Sequence, residues 1–242
     1  MSSFDISFLE GLQDSCVKRF WHLVCHRSSL SNHRSYLRVQ IGSEDLFVHN
    51  YRNDLSCYVN RCPHRGARIV SLLEGESFLR CNYHGWSFQP NKTSVPRCDS
   101  FDLSLDPRKA RLDQWLLKEF AGFVFIAFNP LFSLSDQLGD ETLFILERIG
   151  KSINSHFSSQ HINYNAPWMI AIENALESYH ISCVHPATLA SIRLNDGHDS
   201  FWQWSSLWLA SSGNQRLIRS SNIMKTALDI FLDIEGYMAL YL

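Results

Sequence analysis

The chain has 242 residues, of which 45% are apolar and 19% charged. Its 22 Lys and Arg against 24 Asp and Glu leave a formal charge of -2, and no basic block occurs, which argues against a protein that binds nucleic acid by neutralising phosphates. An aromatic content of 13% argues against extensive disorder and for thick packing around a pocket or interface.

The opening stretch, MSSFDISFLEGLQD, carries acids where a secretion signal would carry Lys or Arg, so no signal peptide is expected. The longest apolar runs, such as residues 122–128, fall well short of the roughly 20 residues that cross a bilayer, and no membrane span is expected. Seven cysteines are an odd number at irregular spacing, which points to a reducing cytoplasm rather than a secreted disulfide framework. Residues 20–25 form a short apolar run and residues 28–35 (SSLSNHRS) read as a loop, so residues 1–34 are expected to be a segment packed on the domains.

Strand signals follow. Tyr36, Val39 and Ile41 begin one, residues 44–50 (EDLFVHN) a second and residues 55–60 (LSCYVN) a third, with Gly42 and the Arg52-Asn53-Asp54 cluster as turns. Residues 78–81 (FLRC) and 120–129 (FAGFVFIAFN) add two more, giving an all-β antiparallel domain over residues 35–130. The period then changes. Residues 140–149 (DETLFILERI) place Leu143, Ile145, Leu146 and Ile149 on one helical face, and residues 168–184 are long enough for a helix. Residues 200–209 read as a strand with Trp202, Trp204 and Trp208 at even spacing, and residues 220–242 as either a helix or two short strands. Residues 131–242 therefore read as an α+β domain, without internal repeat or low-complexity tract.

Two Cys-His pairs carry the chemistry of the first part. Cys62-Pro63-His64-Arg65-Gly66 is followed by Cys81-Asn82-Tyr83-His84-Gly85-Trp86, a C-x-H and a C-x-x-H on two loops. Thiolates select zinc or an iron-sulfur cluster, and the spacing does not match zinc-finger pairs. In a two-iron, two-sulfide centre the cysteines can hold one iron and the histidines the other. Imidazoles in place of two thiolates raise the reduction potential to about -150 to +300 mV, which suits one-electron transfer. Gly66 and Gly85 allow tight turns beside the inorganic core, Trp86 would shield it, and backbone or polar donors would support the sulfurs. A structural zinc site and ordinary core cysteines with surface histidines stand as alternatives. Cys16, Cys25, Cys57, Cys98 and Cys183 lack such a histidine partner and read as small buried hydrophobes.

CPHRG with CNYHGW resembles the cluster motif of Rieske domains, and its neighbourhood resembles the large (alpha) subunit of Rieske non-haem iron oxygenases. The resemblance implies a Rieske-type antiparallel β domain followed by a partial helix-grip-like α+β catalytic domain.

The stretch ENALESYHISCVHP carries a second constellation. On a helix, Asn174, Glu177 and His180 share a face. Pro186 disfavours helical geometry at His185, so the chain can leave the helix near Val184 and return that imidazole toward His180. Two neutral imidazoles suit non-haem iron, whose facial triad a carboxylate normally completes. Residues 168–186 resemble the iron motif of the same family. That resemblance implies His180 and His185 as ligands of mononuclear Fe(II), Glu177 as the carboxylate bridging to a neighbouring subunit's cluster histidine, and Asn174 nearby. Glu at the bridge is reminiscent of the branch acting on quaternary ammonium substrates, and Met169 stands where the motif often has Lys or Arg. Tyr179 reads as a pocket wall, a hydrogen-bond donor or a packed core residue.

Family members usually supply an acid as third iron ligand far downstream, whereas this chain stops at Leu242 inside the apolar, strand-like EGYMALYL. A C-terminal truncation is therefore expected. Asp229, Asp233 and Glu235, with Asp196 and Asp199 nearer, are the acids that could substitute. Phe201, the three tryptophans and Met224 are candidate pocket residues, and Arg193, Arg216 and Arg219 fall in the same half.

No G-x-G-x-x-G follows a strand, so NADH or NADPH would be used only indirectly, at a separate flavin/iron-sulfur reductase or ferredoxin. The resemblance further implies a homotrimer, dioxygen as co-substrate, and hydroxylation or oxidative demethylation of a small organic molecule by a mono- or dioxygenase. The alternative is an electron-transfer or partner-binding Rieske protein with an incomplete oxygenase domain.

Overall fold

The computed structural model describes residues 17–90, 92–94, 110–153, 170, 180–184, 186, 198–201, 206–211 and 236–241. The chain divides into two compact units, Met1–Gln137 and Leu138–Leu242.

In the first unit, β1 (His22–His26), β2 (Ser35–Ile41), β3 (Glu44–Tyr51), β4 (Asp54–Val59), β5 (Glu74–Glu76), β8 (Gln114–Phe120) and β9 (Phe123–Ala127) form an antiparallel sheet. Its order is β1-β9-β8-β4-β3-β2-β5. A two-stranded hairpin, β6 (Ser87–Gln89) with β7 (Lys92–Ser94), stands beside it. The expected meander is β2 to β4. Arg52 and Asn53, at φ 56° and 75°, form the two-residue turn between β3 and β4, the backbone sign that a tight hairpin twist demands.

Alternation along the meander decides where the core lies. Leu37, Val48 and Cys57 are cross-strand partners and pack in one apolar cluster with Leu46, Val59 and Trp115. Tyr36, Phe47 and Tyr58 point to the opposite face and pack with Cys62, Cys81 and Trp86. Because successive side chains alternate, β2, β3 and β4 each bury residues on both faces of the sheet. One face carries the Cys-His loops, so the sheet is the floor on which they rest.

Several elements differ from the sequence expectation. Residues 20–25 contribute β1, which pairs with β9, so the segment before residue 35 supplies a strand of the sheet. The run 120–129 is not one strand: Ala121 and Gly122, at φ 51° and 83°, turn the chain between β8 and β9. Residues 78–81 form no strand, because only Arg80 bridges, to Ser87.

Helix α1 (Leu134–Ser152) starts at Ser133, whose hydroxyl accepts from the Asp136 amide at 3.1 Å, and breaks at Gly139 (φ 74°, ψ 160°). Of the four positions expected on its apolar face, Ile145 and Leu146 are buried and Leu143 and Ile149 half-buried, with Leu138 and Thr142 completing the stripe. In the second unit, α2 is the single turn Ile181–Val184. A three-stranded antiparallel sheet there comprises β10 (His198–Phe201), β11 (Ser206–Ser211) and β12 (Gly236–Tyr241). The single strand expected over residues 200–209 is thus two, with Asp199 opposite Trp208. No helix among the described residues is long and apolar enough to cross a membrane.

Candidate metal centre

Two loops bring the first constellation together. The loop after β4 carries Cys62 and His64, and the loop before β6 carries Cys81 and His84. They close by the same hydrogen bonds. The Gly66 amide donates to the Cys62 carbonyl and the Gly85 amide to the Cys81 carbonyl, both at 2.9 Å. The Cys62 amide donates to the Ala67 carbonyl and the Cys81 amide to that of Trp86, both at 2.8 Å. Each ring needs a left-handed residue at its fifth position, and Gly66 and Gly85 sit at φ 75° and 72°.

The donors separate two by two. Cys62 and Cys81 are buried, and their thiols hydrogen-bond each other. The imidazoles of His64 and His84 meet at 4.6 Å between ring centroids, at 64°, with both Nδ1 atoms buried. Among the described residues, no three His, Cys, Asp or Glu side chains gather where they could hold one metal ion. A two-iron, two-sulfide cluster takes a thiol pair at one iron and an imidazole pair at the other. The donor set fits that cluster.

Electrostatics agree with the fit. Burial pushes the Cys62 thiol up, as does Cys81, while the backbone amides of His64 and Arg65 donate to its sulfur and pull it down. Those amides are the supporting donors that residue spacing could not identify. Desolvation, His84 and Arg65 hold the His64 imidazole below its ordinary value, favouring the neutral form that binds metal. Trp86, 1% exposed, stacks on His64 with planes 2° apart and centroids at 4.8 Å. Tyr83 lies exposed against His84 at 4.0 Å between centroids.

Asn60 escaped the sequence reading, where it closed a strand. Its buried side chain donates to the Val70 carbonyl at 2.8 Å and accepts from the amides of Ile69 and Val70, both at 3.0 Å, so it clamps the ends of the first loop. Asp45 supports the clamp from β3, bonding to Arg38 at 2.6 Å and Arg68 at 3.1 Å. An Asn between a strand and a Cys-Pro-His loop is the only local hint of this role.

Of the second constellation, His180 precedes α2 and its carbonyl accepts from the amides of Cys183 at 3.0 Å and Val184 at 2.7 Å. The helical turn ends at Val184, two residues before Pro186. Asn174, Glu177, Tyr179 and His185 lie outside the described residues, as do Trp202, Trp204, Met224, Asp196, Asp229, Asp233, Glu235, Arg193, Arg216 and Arg219.

Residues 20–101 match the Rieske [2Fe-2S] domain family, and residues 154–227 match the family of the ring hydroxylating alpha subunit (catalytic domain). The chain thus joins a Rieske [2Fe-2S] domain to a ring-hydroxylating alpha-subunit catalytic region and is related to the carnitine monooxygenase and aromatic dioxygenase subunits. The first match contains Cys62, His64, Cys81 and His84, and the second contains Asn174, Glu177, His180 and His185. The chain is 30% identical over 204 residues to the carnitine monooxygenase oxygenase subunit of Escherichia coli (strain K12), covering 82% of the chain and 53% of that protein. It is 29% identical over 182 residues to the anthranilate 1,2-dioxygenase large subunit of Acinetobacter baylyi, covering 69% of the chain and 38% of that protein. The chain thus spans about half or less of these relatives' length. Its fold is similar to that of a quaternary ammonium Rieske monooxygenase solved with L-carnitine, at a TM-score of 0.74 and 22% identity, over 85% of this chain and 60% of that one.

Proposed function

We propose that the chain works as the oxygenase component of a Rieske system, taking electrons from a separate reductase or ferredoxin and hydroxylating or oxidatively demethylating a small organic substrate with dioxygen. The observation that carries this reading is the two-by-two division of Cys62, Cys81, His64 and His84 on two loops of identical closure. A two-iron, two-sulfide cluster held there supplies one-electron transfer. The chain's own part is to bury the thiols, aim the His64 and Arg65 amides at sulfur, and hold the two imidazoles side by side, His64 below its ordinary pKa.

His180 and His185 would hold a mononuclear Fe(II), which supplies the dioxygen chemistry. Glu177 would accept a hydrogen bond from a cluster histidine of a neighbouring subunit, with Asn174 beside it, which calls for a homotrimer. NADH or NADPH would be spent at the reductase, in the cytoplasm. Glu177 and the likeness to a carnitine monooxygenase favour a quaternary ammonium compound as substrate.

Anaerobic reconstitution tests the reading. A coloured protein with about two irons and two sulfides in the cluster, a reduced-state paramagnetic signal and product-linked oxygen uptake with a reductase is expected. A colourless, zinc-binding preparation would overturn it.

A further inference from the structure

Trp86 sits in the first unit with a polar atom that the fold leaves without a partner. The residue is 1% exposed and packs in the same apolar cluster as Cys62 and Cys81. Its Nε1 is buried and makes no hydrogen bond. An indole N–H is a donor only, and buried donors are almost always satisfied, because one removed from water without an acceptor loses its hydration for nothing. The other polar tryptophan contact in this unit obeys that rule: Trp21 Nε1 donates to the Phe132 carbonyl at 3.1 Å.

The neighbourhood of Trp86 identifies the missing acceptor. Its ring lies parallel to His64 at 4.8 Å, and its backbone carbonyl accepts from the Cys81 amide at 2.8 Å, so Trp86 ties a histidine of one loop to the cysteine turn of the other. Its neighbours in the apolar cluster are hydrocarbon, tyrosines and the two thiols. We propose that the Trp86 indole N–H is completed by a sulfur of the inorganic centre, which makes Trp86 a positioning residue that raises the centre's reduction potential. This rests on the Rieske reading above. A donor aimed at sulfur favours the more negative, reduced state, and hydrogen bonds to the sulfurs are among the terms that set such potentials. Stacking alone does not need the N–H, so the two roles are separable.

The test compares the cluster-loaded wild-type chain with Trp86→Phe and with a variant carrying benzothienylalanine at position 86, which keeps the fused ring but has sulfur in place of N–H. Redox titration followed by visible circular dichroism reads the potential. Electron-nuclear double resonance of the reduced cluster, with indole-15N tryptophan and in deuterated water, reads the exchangeable proton. The expected result is an exchangeable coupling from the Trp86 N–H in wild type and about a tenfold weaker reduction equilibrium in the benzothienyl variant, ~59 mV for one electron. An unchanged potential in that variant, or no such coupling in wild type, overturns the proposal and leaves the cluster assignment standing. A wild-type chain that takes up no iron and sulfide overturns the Rieske reading itself. Should Trp86→Phe fail to hold the cluster, the wild-type resonance measurement still decides.

Discussion

The Asn60 side chain grips the Val70 backbone from both sides: its Nδ2 donates to the Val70 carbonyl at 2.8 Å while its Oδ1 accepts from the Val70 N–H at 3.0 Å. The contact spans ten residues and encloses Cys62 and His64, so one side chain sets the width of a ligand loop. Asn60→Ala leaves the Ile69 and Val70 amides and the Val70 carbonyl short of partners. We expect a stability loss of about 2–4 kcal/mol by denaturant titration. Iron should also pass faster to a chelator. Unchanged chelation kinetics would show that the loop holds its shape without the clamp.

The buried His49 imidazole makes an acid-stability prediction. It meets the Ser77 carbonyl at 3.3 Å, yet burial, with His33 and Arg34 adding to it, lowers it to about 4. In the unfolded chain His49 takes up a proton near pH 6.5, in the folded chain only near pH 4. Between these values the unfolded state binds more protons, so stability falls as pH falls through the window and the loss levels off below about pH 4. The slope from this residue approaches ~1.4 kcal/mol per pH unit. Denaturant titrations between pH 7 and 4 should show a shallower decline for His49→Gln than for wild type; parallel curves would refute the assignment.

Cysteine replacement separates ligands from core. Cys81→Ala should abolish the visible absorption of the loaded protein. Cys57 is 1% exposed, its thiol pushed up to about 12 by burial, and it packs among Leu46, Val48 and Val59. Cys57→Ala should keep the spectrum and cost about 1–2 kcal/mol in packing. A spectrum lost equally in both would mean that the colour reports fold integrity and not ligation.

For the second constellation, a graded chelator should strip mononuclear iron before the cluster. His180→Ala should lower the iron content of the loaded protein from about three atoms to about two, with the cluster spectrum intact. Glu177→Ala should likewise keep that spectrum while ending product-linked oxygen uptake. Turnover that survives Glu177→Ala unchanged would remove the bridge.

The meander and its turns were legible because alternation along β2 to β4 and the turn residues at Arg52 and Asn53 act over a few bonds. The run at residues 120–129 misled for the same reason: it is apolar throughout, and the reversal at Ala121-Gly122 has no polar marker. Residues 78–81 are apolar at Phe78 and Leu79, but Phe78 is 67% exposed and the segment finds no strand partner beyond one bridge.

The amino-acid order by itself determined the chemistry on offer, since the identity and spacing of Cys62, His64, Cys81 and His84 are covalent facts, as are the glycines that let both loops close. Only the tertiary structure decided how those donors divide, which amides reach the Cys62 sulfur, that Trp86 lies flat on His64 with its N–H unsatisfied, and that Asn60 clamps the loop. These depend on contacts between segments distant along the chain, and such contacts are selected by which buried surfaces and polar groups can be satisfied together, a condition that no local pattern records.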